Sequence, residues 1–259
     1  MSYEYLLLDV EEHIAIITIN RPPVNPLNSV VFKELGTVID ELDQRDDVRI
    51  IILTGSGDKA FVAGADVNEM ADVDLKEINR MNKVSRSVLS KVENATKPVI
   101  AAINGVALGG GFELALACDL RISSEKAQFS FPEVGLGIIP GGGGTQRLQK
   151  FVGQGVAKQL LYFGDMFTAK KAETLHIVNE VVAHDEVLTT AKEWAEKLAK
   201  KPPIALQMLK LAVNKGSNAD VETGLIIESM CFGNVFTTKD AKEGMTAFTE
   251  KRKPVYVGK

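Results

Sequence analysis

Apolar residues occur along the first two thirds of the chain in short runs and in longer helical patterns that follow one another. The runs EYLLLDV, HIAIITINRP and RIIILTGSG have the length and composition of strands, and the polar Glu11, Glu12 and His13 between the first two predict a hairpin. Helical spacing in SVVFKELGTVIDELDQRDDV predicts a helix with Ser29 as its N-cap. Further on, PVIAAINGVALGG predicts a strand and a turn, FELALACDL a helix, RISSEKAQFSF a strand and TQRLQKFVGQGVAKQLLYFG a helix. Alternating strands and helices predict the α/β class.

The pattern changes after about residue 190, where helical segments follow one another without a strand. VLTTAKEWAEKLAKKPPIALQMLKLAVNKG, DVETGLIIESMCFGNVF and DAKEGMTAFTEKRKP all have helical patterns, and Pro202 and Pro203 predict a break inside the first. We therefore expect a core with the functional site over residues 1–195. A helical region over residues 196–259 is expected to pack on this core or on a neighbouring subunit.

The composition is that of an ordinary folded protein. The 259 residues are 45% hydrophobic and 25% charged, which suits one large domain, or a main domain with an appendage. The formal net charge is −4, from 30 basic and 34 acidic residues, and no polybasic block occurs. We therefore expect no nucleic-acid partner, although a few lysines would suffice to bind a small anionic ligand.

The cysteines and histidines are not placed for a disulfide framework or a metal centre. Cys118 and Cys231 are far apart in sequence, and His13, His176 and His184 are scattered. The opening MSYEYLLLDVEEH has no basic region before its apolar run, so we expect no signal peptide. The longest weakly charged windows contain glycines and a glutamate, which argues against a membrane span. The expectation is a cytoplasmic protein without a metal.

Two glutamates are isolated within weakly polar segments. Glu113 is the only charged residue inside KPVIAAINGVALGGGFELALACD apart from its two ends, and Glu133 is the only one inside AQFSFPEVGLGIIPGGGGTQ. A carboxylate is costly to bury unless it is paired, hydrogen-bonded or shifted in pKa. Such groups cluster where chemistry occurs, although structural ion pairs leave the same pattern. Two of them together favour a catalytic role.

Small residues accompany both glutamates. Residues 109–111 are glycines directly before the predicted helix that carries Glu113, and the first N–H groups of a helix have no partner within it. Glycine lets a ligand oxygen approach such a backbone, so these N–H groups are suited to stabilising an oxyanion. The small residues 63–65 offer another N–H group, and the glycines 141–144 precede the next helix. Tight packing of strand on helix would require the same glycines, so both interpretations stay open.

Two carboxylates beside backbone donors suit proton transfer to and from a carbonyl compound. Hydration of an α,β-unsaturated carbonyl needs one group to deprotonate water, one to protonate the α-carbon and N–H groups for the enolate. A glycoside hydrolase also uses paired carboxylates but needs no oxyanion hole, and aromatic residues are only 6% of this chain. The glycine runs lack the G-x-G-x-x-G spacing of a nicotinamide enzyme. A binding protein without catalysis remains as an alternative.

Four long stretches resemble the crotonase superfamily, specifically its enoyl-CoA hydratase group: AFVAGADVNEM, KPVIAAINGVALGGGFELALACD, FSFPEVGLGIIPGGGGTQRL and KEGMTAFTEKRKP. The resemblance covers essentially the whole chain. It implies an α/β fold made of a spiral of ββα units, followed by a C-terminal helical trimerisation region, and a homo-oligomer that is a trimer or a hexamer of two trimers. It also implies an acyl-CoA thioester substrate and no cofactor, since coenzyme A is part of the substrate.

The resemblance assigns roles by matching position. It implies that the N–H groups of Ala65 and Gly110 form the oxyanion hole for the thioester oxygen, and that Gly141 helps to place the water. Glu113 is implied to hold and activate that water, and Glu133 to protonate the α-carbon.

Coenzyme A contacts are also implied by the resemblance. The loop 59–65, with Lys59, Ala63 and Ala65, resembles the one that lines the adenine end, while Phe248 and Lys251 match positions that reach a neighbouring subunit's ligand. The chain departs from the family in NRPPVNPLN, which lacks the lysine of the usual N-R-P-K-A-L-N. It also departs at His176, where a helix-ending glycine is usual.

The implied reaction is reversible syn addition of water to a trans-2-enoyl-CoA, which gives a 3-hydroxyacyl-CoA. Members that only shift a double bond often keep the second glutamate alone, and this chain has both. The hydratase is therefore favoured over a Δ3-Δ2-enoyl-CoA isomerase or a specialised branched-chain hydratase. The acyl-chain length depends on the variable segment ADVDLKEINRMNKVSRSVL and is not predicted.

Overall fold

The chain forms ten strands, nine α-helices and three short 3-10 helices over residues 3–259, which are the residues that the computed structural model describes. The strands are β1 (Leu6–Glu11), β2 (Ile14–Ile19), β3 (Ile50–Gly55), β4 (Ala60–Ala63), β5 (Val99–Ile103), β6 (Val106–Leu108), β7 (Leu120–Ser124), β8 (Gln128–Ser130), β9 (Phe167–Thr168) and β10 (Glu180–Val182). The α-helices are α1 (Ser29–Asp43), α2 (Leu75–Asn94), α3 (Gly110–Ala117), α4 (Gly144–Phe163), α5 (Ala169–Thr174), α6 (Val187–Ala199), α7 (Pro203–Gly216), α8 (Val221–Phe236) and α9 (Lys239–Thr249). The 3-10 helices are Val67–Glu69, Pro132–Leu136 and His184–Glu186.

The strands belong to two sheets. The larger sheet has the order β1-β2-β3-β5-β7-β10, in which β1 and β2 form the predicted antiparallel hairpin and the remaining pairs are parallel. The smaller sheet has the order β4-β6-β8-β9, and its first three strands are parallel. The central strands β3 and β5 are buried throughout, because helices cover parallel sheets on both faces.

Three consecutive ββα units build most of the chain up to residue 163. In each unit the first strand joins the larger sheet, the second joins the smaller sheet and a helix follows: β3-β4-α2, β5-β6-α3 and β7-β8-α4. This repetition is the spiral of ββα units that the resemblance implied, and it confirms the predicted α/β class.

Apolar residues of both sheets and of the first helices form the main core, which includes the aromatic side chains of Phe112, Phe129 and Phe131. A second, smaller core lies on the larger sheet, where isoleucines of β2, β3 and β5 pack against the buried alanines of α6. No helix among residues 3–259 is long and apolar enough to cross a membrane.

The structure departs from the local predictions at five points. The N-cap of α1 is Asn28, whose side chain accepts from the N–H of Val31 at 2.9 Å, and Ser29 is the first helical residue. The segment RISSEKAQFSF forms two strands, β7 and β8, that belong to different sheets. Gly153 interrupts α4 with a left-handed φ of 73°. The helix α2 was not predicted, and the predicted loop 59–65 contains β4.

The C-terminal region is helical, as predicted. The predicted break covers residues 200–202, and Pro203 is the first residue of α7. The helices α7, α8 and α9 follow without a strand. The predicted boundary after residue 195 lies inside α6, which ends at Ala199. The assignment of the later helices to oligomerisation stays a prediction.

Candidate active site

The carboxyl ends of three neighbouring parallel strands bring the predicted site residues together. Ala65 follows β4, Gly110 and Glu113 follow β6, and Glu133 follows β8. In the smaller sheet Ala63 pairs with Leu108, and Leu108 pairs with Ser130, so the three strands end side by side. Parallel strands ending at one edge form a common place for a ligand in α/β proteins.

Glu113 is a buried carboxylate in the first turn of α3, with a residual exposure of 4%. Its Oε1 accepts hydrogen bonds from the N–H groups of Gly142 at 2.8 Å and Gly144 at 2.7 Å. Burial raises the pKa of Glu113 above its usual value, and the N–H groups of Gly144 and Gly142 oppose that shift because they bind the ionised form. Both bonds use one oxygen, which leaves Oε2 to contact a bound water.

Glu133 is a half-buried carboxyl in the first turn of the 3-10 helix Pro132–Leu136. Its Oε2 is fully buried without a hydrogen-bond partner among the described residues. Burial raises the pKa of Glu133 to about 7, and the negative charge of Glu113 adds to the shift. Glu133 therefore keeps its proton up to near-neutral pH, as a group that donates a proton must.

Gly109 leaves the space that Glu133 occupies. It has a φ of 47°, which side chains rarely adopt, and a Cβ at this position would lie 2.8 Å from Glu133 Oε1. Gly109 is also the N-cap of α3, the helix that contains Glu113. This one glycine therefore adjoins both Glu133 and the helix of Glu113.

An aromatic stack beneath the site holds those two elements together. Phe112, directly before Glu113, stacks on Phe131 with ring centroids 4.7 Å apart, and Phe131 directly precedes the helix of Glu133. Both rings are buried, and Phe129 and Phe167 pack around them. The separation of the two carboxyls is therefore set by rigid packing.

The backbone N–H groups of Ala65 and Gly110 lie close together. A Cβ on Gly110 would be 3.5 Å from the nitrogen of Ala65. The neighbouring amides of Ala63 and Asp66 donate to backbone carbonyls, whereas that of Ala65 has no partner among the described residues. Gly110 is the first residue of α3, so its N–H also has no partner within the helix. Together these donors suit a carbonyl oxygen that becomes negative.

The two glutamates and the N–H donors of Ala65 and Gly110 line one cavity of about 1110 Å³. Ala63, Ala65, Gly110, Glu113, Glu133 and Gly141 contribute to its wall, so six of the nine predicted site residues are brought together. The long helix α2 and residues 136–139 supply part of its apolar wall, including Ile78, Met81 and Ile139. Lys33 also lines the cavity and is exposed.

The other three predicted residues lie outside this cavity. Lys59 is exposed at the start of β4. Phe248, which is 85% exposed, lies near the end of α9, and Lys251 follows α9 on the surface. The roles of Phe248 and Lys251 at a neighbouring subunit stay predictions.

Three residues around Glu113 were missed at the level of sequence. Gly142 and Gly144 are its hydrogen-bond donors, and Arg147 of α4 donates to the carbonyl of Gly142 at 2.9 Å. The run of four glycines before a helix was a signal for donors, but it did not indicate which carboxylate they bind. Nothing in the sequence indicated that Arg147, a single arginine in a helical pattern, belongs to the site.

Comparisons with known proteins agree with this geometry. The family model for enoyl-CoA hydratase/isomerase matches residues 9–259. The short-chain-enoyl-CoA hydratase of Clostridium acetobutylicum is 46% identical over 254 residues, which cover 98% of this chain and 97% of the relative. The crotonyl-CoA hydratase of Syntrophomonas wolfei is 45% identical over 260 residues, covering 100% of both chains.

The fold is also that of solved structures. The crystal structure of an enoyl-CoA hydratase from Bacillus anthracis has a TM-score of 0.95 at 41% identity and covers 99% of this chain and 100% of its own. An enoyl-CoA hydratase structure from Geobacillus kaustophilus has a TM-score of 0.97 at 32% identity, covering 100% and 98% of the two chains. The chain belongs to the enoyl-CoA hydratase/isomerase family of the crotonase superfamily.

Proposed function

We propose that this protein is an enoyl-CoA hydratase that adds water reversibly to short trans-2-enoyl-CoA thioesters. The observation that carries the proposal is the single cavity in which Glu113, Glu133 and the amides of Ala65 and Gly110 meet. The names of the similar proteins, a short-chain-enoyl-CoA hydratase and a crotonyl-CoA hydratase, support short substrates.

Each group has a part in the addition of water. Glu113 accepts a proton from the water while the water oxygen bonds to C3 of the enoyl group. The electron pair of the double bond moves onto the thioester oxygen, which the N–H groups of Ala65 and Gly110 stabilise as an enolate. Glu133 then donates its proton to C2. A proton returns from Glu113 to Glu133 before the next turnover.

The environments of the two carboxyls fit these parts. Glu113 accepts two N–H hydrogen bonds, which favour its ionised form, as a group that takes a proton from water requires. Glu133 has a buried oxygen without a partner, which favours its protonated form. The reaction is redox-neutral and its proton transfers are covered by these side chains, so we propose no cofactor besides the coenzyme A of the substrate. Lys33 offers a positive charge to the anionic coenzyme A.

We also propose a homo-oligomer, a trimer or a hexamer, with the helices after α6 as its contact region. α8 is exposed on most of its surface in the single chain although many of its residues are apolar. Large exposed apolar surfaces mark interaction sites in folded proteins. In such an assembly we expect Phe248 and Lys251 to reach a neighbouring subunit's coenzyme A, as the family resemblance implies.

The experiment is a progress-curve panel with purified protein and trans-2-enoyl-CoA thioesters of increasing chain length, together with a 3-enoyl-CoA. We expect crotonyl-CoA to be consumed with formation of 3-hydroxybutyryl-CoA, and we expect activity to fall with longer chains. Rapid conversion of the 3-enoyl-CoA with no hydration would assign the isomerase reaction instead. Binding of acyl-CoA without turnover of any thioester would contradict an enzymatic role.

A further inference from the structure

We propose that Arg147 is a positioning residue for the proposed hydratase reaction, because it fixes the glycine loop 141–144 whose N–H groups hold Glu113. The proposal rests on the proposed function. Arg147 lies outside the substrate cavity, so its effect on the reaction passes through the loop and through Glu113.

Arg147 joins the glycine loop to α2, a helix that is distant in sequence but in contact with it. Its Nη1 donates to the carbonyl oxygen of Gly142 at 2.9 Å, and its Nη2 forms an ion pair with Glu93 Oε2 at 2.7 Å. The guanidinium is nearly buried, with 12% of the side chain exposed. Glu93 lies at the end of α2, and its backbone carbonyl accepts from Asn214 of α7 at 2.9 Å. The arginine is thereby anchored on one side and holds the loop on the other.

Both polar groups of Gly142 are held from opposite directions. Its N–H donates to Glu113 Oε1 at 2.8 Å, while its carbonyl accepts from Arg147. A rotation of the peptide planes at Gly142 would therefore break the bond to the arginine and disturb the bond to Glu113 together. Because a displacement of about 1 Å can cost on the order of 100-fold in rate, a small rotation matters for catalysis.

The loop conformation leaves room for the guanidinium. Gly143 has a φ of 115°, and a Cβ at this position would lie 2.4 Å from Arg147 Nη1. Any side chain at position 143 would therefore be strained and would displace the arginine. The glycine between the two donors, Gly142 and Gly144, permits the arginine to approach the back of the loop.

The charge of Arg147 acts on Glu113 as well. Its positive charge lowers the pKa of Glu113, against the larger effect of burial, which raises that pKa. Two other charged groups face this arrangement: Glu133 in the cavity and Glu93 behind the arginine. Removal of the positive charge is expected to raise the pKa of Glu113. Since Glu113 must be ionised to accept the proton of water, the acid limb of the rate profile should then move to higher pH.

The test compares four variants with the wild type: Arg147→Gln, Arg147→Lys, Glu93→Gln and the control Arg45→Gln, which breaks an exposed pair with Asp47 far from the site. For Arg147→Gln we expect kcat for crotonyl-CoA to fall about 10- to 100-fold with little change in KM. Its acid limb should move to higher pH. Arg147→Lys keeps the charge but lacks the forked guanidinium that spans Gly142 and Glu93, so kcat should fall less and the acid limb should stay.

Glu93→Gln carries the test if Arg147→Gln does not fold. It loosens the anchor but retains the positive charge, so we expect a moderate fall in kcat and no upward move of the acid limb. Unchanged kcat and pH profiles in the folded Arg147 variants, or in Glu93→Gln when only that variant folds, would overturn the proposal. Lower thermal stability with unaltered kcat per folded site would do the same, since it would assign a purely structural role. A wild type without hydratase activity would refute the proposed function and not this assignment alone.

Discussion

At the scale of single residues, two glutamates in one cavity differ because their surroundings differ. Glu113 receives two backbone N–H groups on one oxygen. Glu133 has a buried oxygen without a partner, and burial raises its pKa to about 7. The N–H groups favour the ionised form of Glu113 and burial favours the protonated form of Glu133, and this difference separates the group that accepts a proton from the one that donates it.

The raised pKa of Glu133 predicts a gain in stability for Glu133→Gln that depends on pH. A carboxyl whose pKa is higher in the folded state stabilises the fold fully below its unfolded pKa, and this contribution is lost as pH rises toward the folded pKa. Wild type and Glu133→Gln should therefore have similar melting temperatures below about pH 4.5. The variant should become increasingly more stable between about pH 4.5 and 7, and the difference should level off above that range.

Thermal unfolding of both proteins from pH 4 to 9 measures this difference. Glu196→Gln, at an exposed position on α6, is the control, and its melting temperature should follow the wild type at every pH. Equal melting temperatures of wild type and Glu133→Gln at pH 8 would contradict the account of Glu133.

The two glutamates could be identified from the sequence, but Arg147 and Glu93, which support the loop that holds Glu113, could not. Glu113 and Glu133 were found because each is the only charge in a long weakly polar segment. His176 was singled out at a position that favours glycine, and its φ of 58° confirms the left-handed conformation. Arg147 and its partner Glu93 are 54 residues apart, and nothing local in either segment indicates that they meet.

At the scale of elements, the strands and helices with strong patterns were predicted and the helix that lines the cavity was not. α2 has only three buried residues, Val88, Leu89 and Val92, all in its second half. Its first half contributes to the cavity wall instead of to the core. Leu75, Ile78 and Met81 continue the helical spacing of these three residues, so an apolar stripe was present in the sequence although polar residues outnumber it.

An ion pair is one of the contacts that attach α7 to the core. Lys210 Nζ lies 2.7 Å from Asp119 Oδ2, and the two side chains are 8% and 22% exposed. Asp119 also accepts from the N–H of Val99 at 2.7 Å. Burial raises the pKa of Asp119, and the positive charge of Lys210 opposes that shift.

Removing one partner of this pair should be more harmful than removing both. Lys210→Met leaves a largely buried carboxylate, and we expect a loss of about 2–3 kcal/mol in the free energy of unfolding. The double variant Asp119→Asn with Lys210→Met should lose less than Lys210→Met alone. The deficit of Lys210→Met should shrink as pH falls, because protonation removes the unpaired charge of Asp119.

Denaturant unfolding of the single and double variants at pH 5 and pH 8 measures these effects. Lys215→Met, an exposed lysine on the same helix, serves as control and should cost little. A double variant that is no more stable than Lys210→Met would rule out the uncompensated charge as the cause.

At the scale of the whole molecule, exposed apolar side chains predict a homo-oligomer. On α8 the large apolar residues Leu225, Ile226, Met230, Phe232 and Phe236 are all more than half exposed in the single chain. A helix that is apolar on several faces is normally buried against other helices or against a partner subunit. We expect sedimentation equilibrium to give a mass of three or six chains.

The variant Met230→Glu should shift that mass toward the single chain, since a charge would be buried in the contact. Leu7→Glu, which places the same charge at an exposed apolar position on the edge strand β1, is the matched control and should leave the mass unchanged. A wild-type protein that sediments as one chain at micromolar concentration would contradict the proposed assembly.

In the proposed reaction, two carboxyls in one cavity share the proton transfers of a hydration. The most direct measurement is the initial rate of crotonyl-CoA hydration at pH 7 by the wild type, Glu113→Gln and Glu133→Gln, with folding and assembly checked for each. We expect rapid hydration by the wild type and a loss of at least about 100-fold in kcat for each variant. A Glu133→Gln or Glu113→Gln enzyme as fast as the wild type would contradict it.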